Sequence, residues 1–128
     1  MVLNTSLRPL IACLLLGLSA CSPVRTDRPS MTFTSSRCSK SSDLEHLEAT
    51  VSSRWDNGRF LVNVSKPIIC NVKIAKPTFE LHDRELKVSF HEKTSNVVMK
   101  CYCNTESTFA FSGLPMADYQ VSFEEQRP

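Results

Sequence analysis

The chain has 128 residues, enough for one small domain. Its 15 Lys and Arg residues nearly balance its 13 Asp and Glu residues. A chain with so little net charge has no strong electrostatic field to attract nucleic acid, so we expect no nucleic-acid partner.

The first twenty residues have the form of an export signal. Residues 10–18 are an apolar run, far shorter than the ~20 residues that span a bilayer. The run ends in Leu18-Ser19-Ala20-Cys21. Leu18 is too large for an ordinary signal-peptidase site, which needs small residues at the third and first positions before the cut. Leucine, two small residues and cysteine instead match a lipobox, which predicts a cleaved lipoprotein signal peptide over residues 1–20 and acylation of Cys21.

Residues 21–43 are rich in Ser, Thr, Pro and Arg and show no apolar periodicity, which predicts a flexible tether. Ser22, rather than Asp, follows Cys21, which favours the outer membrane with the domain facing the periplasm. The tether carries four basic residues: Arg25, Arg28, Arg37 and Lys40. We interpret them as part of a solvated spacer, with weak attraction to lipid head groups as the alternative.

Alternating apolar and polar residues over 44–125 predict an all-β domain. The predicted strands contain Leu47–Val51, Arg59–Val64, Thr78–Leu81, Glu85–Phe90, Val97–Cys103, Phe109–Phe111 and Tyr119–Phe123. Turns are expected at Asp56-Asn57-Gly58 and His82-Asp83-Arg84. About seven short strands at this spacing predict an antiparallel β-sandwich, transthyretin-like or immunoglobulin-like. A helix over Ser42–Ser53 is the local alternative, although its last residues are poor helix formers.

Four cysteines remain beyond the signal and the anchor: Cys38, Cys70, Cys101 and Cys103. An even number in an exported chain is typical of disulfides. Cys101 and Cys103 project from the same face of one strand, so their separation disfavours an unstrained bridge between them. We therefore expect Cys70 to bond one of these two and Cys38 the other, and the sequence leaves the choice open.

No known catalytic motif is present, so we expect a domain that is not an enzyme and takes no cofactor. The three histidines, His46, His82 and His91, stand apart in the sequence, and we place them on strand faces and in turns. A catalytic arrangement would need a nucleophile that converges on one of them in the fold.

A soft-metal site is the alternative role for the sulfur-bearing residues. Its ligands would come from Met99, Cys101, Cys103 and Met116, with His91 or Cys70 completing a zinc site. Thiolate sites usually contain CxxC pairs, whereas this chain has one CxC, so we expect no metal. A redox dithiol is disfavoured because no βαβ pattern places these cysteines at a helix N-terminus.

The second half of the chain resembles small Bacteroidota lipoproteins of unknown function, in which a CxC strand precedes an alternating strand, a Gly-Leu turn and a closing strand. The residues that carry the resemblance are Cys101-Tyr102-Cys103, Phe109-Ala110-Phe111-Ser112-Gly113-Leu114 and Tyr119-Gln120-Val121-Ser122-Phe123. The closing segment is also similar to transthyretin-like and carboxypeptidase-regulatory modules, but Met116-Ala117-Asp118 lacks the Gly that those modules favour. The resemblance implies an all-β periplasmic domain and carries no activity.

These observations lead to an expected function as a lipoprotein held on the membrane through Cys21, with a domain that binds an envelope protein or glycan. Exposed strand edges would be the physical basis for such binding. The alternative is an inhibitor of an envelope hydrolase such as a lysozyme, with His82-Asp83-Arg84 or Gly113-Leu114-Pro115 as its protruding loop. A soft-metal-binding domain is the third hypothesis.

Overall fold

The computed structural model describes residues 28–36, 39–40, 48–94 and 101–126. These residues form eight strands: β1 (Ser30–Ser35), β2 (Ser39–Lys40), β3 (Thr50–Asp56), β4 (Arg59–Ile69), β5 (Lys73–His82), β6 (Glu85–Lys93), β7 (Tyr102–Ser112) and β8 (Gln120–Gln126). No helix long and apolar enough to cross a membrane occurs in the described part of the chain.

The strands form two sheets that pack face to face. One has the order β1-β7-β4-β3, with β2 beside β7, and the other has the order β5-β6-β8. The predicted fold class, an all-β sandwich, is confirmed. One strand pair departs from the antiparallel arrangement, because β6 and β8 are parallel. They run the same way because the chain crosses to the first sheet through β7 before it returns as β8.

Several strands are longer than the sequence pattern predicts. Val97–Cys103 and Phe109–Phe111 were expected as two strands, but β7 is continuous from Tyr102 to Ser112, and residues 95–100 lie outside the described residues. Likewise, β4 continues past Val64 and through Pro67 to Ile69. Proline is tolerated there because the described part of β3 pairs with β4 only as far as Ser65. Beyond Ser65, β4 is paired with β7 alone.

The N-terminal boundary of the domain also differs from the expectation. Strand β1 lies within residues 21–43, the segment interpreted as a tether, and pairs with β7 from Ser30 opposite Ser112. Its Met31 and Phe33 pack against the core. Two apolar residues in six were too few to give a periodic signal. Of the alternative helix Ser42–Ser53, residues 50–53 belong to β3, and residues 41–47 lie outside the described residues.

Both predicted turns are two-residue hairpin connections. Asn57 and Gly58 have φ values of 48° and 75°, and they join Asp56 to its partner Arg59. Asp83, with a φ of 53°, begins the connection between His82 and Glu85. Asn, Asp and Gly are the residues that adopt this left-handed backbone at least cost, so the sequence specifies both turns locally.

The core lies between the two sheets and is built largely from aromatic rings. Phe109 is fully buried at its centre. Its ring centroid is 4.9 Å from that of Phe33 in an edge-on contact and 6.5 Å from that of Phe90 in a stacked contact. Phe90 in turn packs 4.8 Å from Phe123 of β8. These contacts join four strands of both sheets through adjoining ring pairs.

A cluster of three charges closes one end of this core. On β6 and β8 the inward-facing apolar series ends in Glu92 and Glu125, and on β4 the inward-facing Lys66 lies between Val64 and Ile68. Lys66 Nζ contacts Glu92 Oε1 directly and lies 3.1 Å from Glu125 Oε1. The Lys66 side chain is 8% exposed and that of Glu92 is 21% exposed, so the pair is largely removed from water. We call these residues the ion triad.

The two ends of the sandwich differ. At the end we call the loop end lie the turns at 57–58 and 83–84, the connection 113–119 and residues 28–29, which lead into β1. Pro29 Cα is 3.8 Å from the position that a Cβ on Gly113 would take, and Gln120 N–H donates a hydrogen bond to Arg84 O at 2.8 Å. The opposite end, which we call the disulfide end, contains the turn at 69–72 and Cys101.

Candidate functional site

The disulfide end contains a bond between Cys70 and Cys101, with a Cα–Cα distance of 5.3 Å. Cys101 is one of the two partners that the sequence leaves open for Cys70. The ladder between β4 and β7 ends with Ile69 opposite Tyr102, and Cys70 N–H donates to Cys101 O at 2.9 Å just beyond it. The extended pairing therefore places these two cysteines directly opposite each other, within normal disulfide reach.

Cys103 is fully buried and packs in a small cluster with Ile68 and Val72. It is also disulfide-bonded, and since Cys70 and Cys101 bond each other, its partner lies outside the described residues. Cys38 and the lipidation candidate Cys21 lie outside the described residues as well. Pairing of Cys38 with Cys103 therefore stays a prediction.

The disulfide removes two of the ligands that were proposed for a soft-metal site. Because Cys70 and Cys101 are bonded to each other, neither sulfur is a thiolate that can bind Cu(I) or zinc. Among the described residues, no group of three His, Cys, Asp or Glu side chains could hold a metal ion. Met99, another proposed ligand, lies outside them, and Met116 is at the loop end, far from Cys101.

The described histidines do not come together. His82 ends β5 opposite Glu85, whereas His91 lies opposite Ala75 farther along the same hairpin. The positions Glu85 and His91 on β6 are about 20 Å apart at the usual rise per residue. His46 lies outside the described residues.

The two loops proposed for an inhibitor lie at the same end of the sandwich. The turn at Asp83-Arg84 and the connection 113–119 both lie at the loop end, and the Gln120 to Arg84 hydrogen bond links them. Trp55 adds a second link from β3, because its Nε1–H donates to Ala117 O at 3.1 Å. Sequence spacing gave no indication of this proximity, since β5 and β8 are in the same sheet only through their common neighbour β6.

A groove of about 440 Å³ adjoins the loop end on the outer face of the three-stranded sheet. Its polar lining comes from Glu80 and His82 of β5, Glu85 and Lys87 of β6, and Gln120 and Ser122 of β8. These residues form two rows across the sheet: His82, Glu85 and Gln120 are in register, and so are Glu80, Lys87 and Ser122. Each occupies an outward position, where alternation places the polar side chains.

The electrostatics of the groove centre on Lys87. Its Nζ lies 3.1 Å from Glu124 Oε2. The hydrogen bond and charge of Glu124, with smaller effects from Glu80 and Glu85, raise the pKa of Lys87. An ammonium group is thus kept charged between carboxylates, next to amide, hydroxyl and imidazole groups. This mixture of donors and acceptors suits a polar, hydrogen-bonding partner.

A hydrogen-bonded ladder of neutral side chains continues the same face towards the disulfide end. Thr78 Oγ1 and Ser89 Oγ are 2.6 Å apart, and Gln126 Nε2 donates to Ser89 Oγ at 3.0 Å. These groups satisfy one another across all three strands, so they hold the face rigid beside the groove.

A second depression of about 420 Å³ lies at the disulfide end, where Ile68, Cys70 and Ile74 give it a more apolar lining.

Strand edges were the expected binding surface, and the edge of β5 is poorly suited to that role. Its pairing with β6 shifts between Ala75 and Thr78, where Lys76 has a φ of 49° and Pro77 lacks an N–H. A bulge, a lysine and a proline are features that prevent an edge strand from accepting another strand. The groove on the sheet face is therefore a better candidate for binding than the β5 edge.

The chain matches no protein-family model, no curated protein and no solved structure.

Proposed function

We propose that the protein is a membrane-anchored lipoprotein of the bacterial cell envelope whose domain is a non-enzymatic binding or structural module. The observation that carries the proposal is Leu18-Ser19-Ala20-Cys21 at the end of a short apolar run. Diacylation at Cys21 would bury enough CH₂ groups, at about 0.8 kcal/mol each, to hold the domain on a membrane. Ser22 favours the outer membrane, with the domain facing the periplasm.

The Cys70–Cys101 disulfide supports export. Structural disulfides persist in oxidising compartments such as the periplasm and are rare in the cytosol. A small domain also gains a large share of its net stability from such a bond.

Replacing Cys21 with Ser should abolish acylation. We expect radiolabelled palmitate to be incorporated into the wild-type protein, and intact-mass analysis to show cleavage before Cys21 with added acyl groups. Cys21→Ser should lose both signatures, since serine cannot form the thioether. Palmitate incorporation, rather than membrane association, is the readout, because an uncleaved leader alone could keep the variant on the membrane.

Cys13→Ser is the matched control, since Cys13 lies inside the same leader, where Leu10-Ile11-Ala12 has the large Ile11 in place of a small residue. It should keep the label and the acylated mass. Equal labelling of Cys21→Ser and the wild type would contradict the proposal.

For the domain itself, we propose that the groove on the three-stranded sheet binds an envelope protein or glycan. Its charged, amide and hydroxyl side chains and its open shape support this role over chemistry on a small apolar substrate. Ser122 lies within the groove, so a photo-crosslinking amino acid at this position should give a discrete adduct in cells that express the protein.

The control position is Ser52, which is exposed on the first sheet opposite Asn63. It should give no such adduct. Identical adducts from both positions would contradict specific use of the groove. If the Ser122 variant forms no protein adduct, the partner would be a glycan. Binding of the domain to purified envelope glycan would support that alternative if Gln120→Ala reduces the binding.

One observation favours inhibition of an envelope hydrolase as the second candidate. The turn at Asp83-Arg84 and the connection 113–119 form one surface at the loop end, which could enter a cleft. Inhibition of a lysozyme that is lost on Arg84→Ala would support it.

A further inference from the structure

The loop end displays an apolar side chain held out from the domain. Met116 is 75% exposed, and within the described residues only Tyr102, at 51%, is another exposed large hydrophobic residue. The connection that carries Met116 is fixed on both sides: Leu114 is buried, and Tyr119 Oη donates to Pro115 O at 2.7 Å. The exposure of Met116 is therefore a feature of an ordered loop.

The chain also enters the domain at the loop end. Pro29 is next to Gly113, and β1 starts at Ser30 opposite Ser112. Pro29 follows Cys21 by eight positions, and even a fully extended chain spans at most about 29 Å over that separation. An 11-residue strand such as β7 is about 36 Å long. A lipid anchor at Cys21 is therefore too short for the domain to stand upright on its disulfide end, which favours contact of the loop end with the bilayer.

Charge at the loop end is compatible with a lipid surface. Arg28, Arg59 and Arg84 are exposed there, and the carboxylates of Asp56, Asp83 and Asp118 balance them. Arginines of this kind can contact head-group phosphates, and the near-neutral total does not require an anionic membrane.

We propose that the loop end is the membrane-facing surface of the domain and that Met116 inserts among the lipid head groups beside the anchor. This inference rests on the proposed acylation of Cys21. In this orientation the sheet face that carries the groove stands upright on the bilayer, so the groove faces sideways into the solvent. The disulfide end points away from the bilayer. The loops at 83–84 and 113–119 are then covered by lipid, which is incompatible with their use as an inhibitor surface on the anchored protein.

Trp55 is the sole tryptophan and lies at this surface, with its Nε1 bonded to Ala117, the neighbour of Met116. We would reconstitute the mature acylated protein into phosphatidylcholine vesicles that contain dansyl-labelled phosphatidylethanolamine. Energy transfer from Trp55 to the dansyl head groups should be strong. Met116→Ser should reduce it, whereas Tyr102→Ser, which removes the exposed side chain at the disulfide end, should leave it unchanged.

Partition of the same sample into a detergent phase separates the two proposals. Failure to partition would refute acylation. Normal partition without energy transfer from Trp55 would refute the orientation alone. Transfer that is unchanged in Met116→Ser, or reduced equally in Tyr102→Ser, would refute insertion of Met116.

Discussion

Replacing Lys66 with Met is expected to lower the free energy of unfolding by about 3–5 kcal/mol. The substitution keeps most of the apolar stem but removes the only cation of the ion triad. Glu92 and Glu125 would then face each other across the end of the core without a counter-charge. Removing one partner of a buried pair is costly because the remaining charge stays desolvated, and here Glu92, at 21% exposed, bears most of that cost because Glu125 is 45% exposed. Chemical denaturation followed by Trp55 fluorescence measures the loss.

The matched control is Lys87→Met, which breaks the Lys87–Glu124 pair at the same 3.1 Å distance but on the exposed face. Little change is expected there, because exposed pairs contribute little to stability. A triple variant, Lys66→Met with Glu92→Leu and Glu125→Leu, should recover most of the loss by replacing the charges with apolar contacts. If Lys66→Met were as mild as Lys87→Met, the ion triad would have to be hydrated.

The second large effect is expected from the double variant Cys70→Ser/Cys101→Ser, which should lose about 3–4 kcal/mol of stability. The bond joins residues separated by 31 positions, so its removal restores considerable conformational freedom to the unfolded chain. Denaturation of oxidised wild type and variant, compared under the same non-reducing conditions, gives the difference. A loss below about 1 kcal/mol would contradict this chain-entropy explanation.

Peptide mapping of the oxidised wild-type protein determines the cysteine pairing. Tyr102 separates Cys101 from Cys103, so chymotryptic cleavage after Tyr102 places them in different peptides. We expect one peptide pair linked through Cys70 and Cys101 and another linked through Cys38 and Cys103. The second follows from β2, which pairs with β7 through Ser39 opposite Asn104 and Lys40 opposite Cys103, so the chain just after Cys38 runs beside Cys103. A Cys70–Cys103 link would overturn this assignment.

The parts of the fold that sequence predicts are those specified by neighbouring residues. Asn57-Gly58 and Asp83 determine their turns because few other residues tolerate the left-handed backbone, and alternation over Glu85–Phe90 identifies the face that is buried. Strand ends were less predictable. Pro67 within β4 is acceptable only because β3 stops pairing at Ser65, and that is a property of the sheet rather than of the segment.

The candidate site was harder to predict than the fold. Glu80, Lys87 and Ser122 look like ordinary outward-facing residues, and they meet only because β8 pairs with β6 in parallel. No local pattern distinguishes that pairing from an antiparallel one. The cysteine pairing was open for a related reason: Cys101 and Cys103 share a face, and the register between β4 and β7 selects Cys101 for Cys70.

The crossover that makes β6 and β8 parallel also determines when the domain can complete its folding. The hairpins β3–β4 and β5–β6 can form as soon as their own residues are available, since each needs only a two-residue turn. Strand β8 must wait until β7 has joined the other sheet. Until residues 120–126 arrive, Phe90 lacks its contact with Phe123, and Lys66 lacks Glu125. A chain synthesised or exported from its N-terminus therefore keeps an incomplete sheet with exposed apolar residues until residues 120–126 emerge, and loss of β8 would produce a protein prone to aggregation.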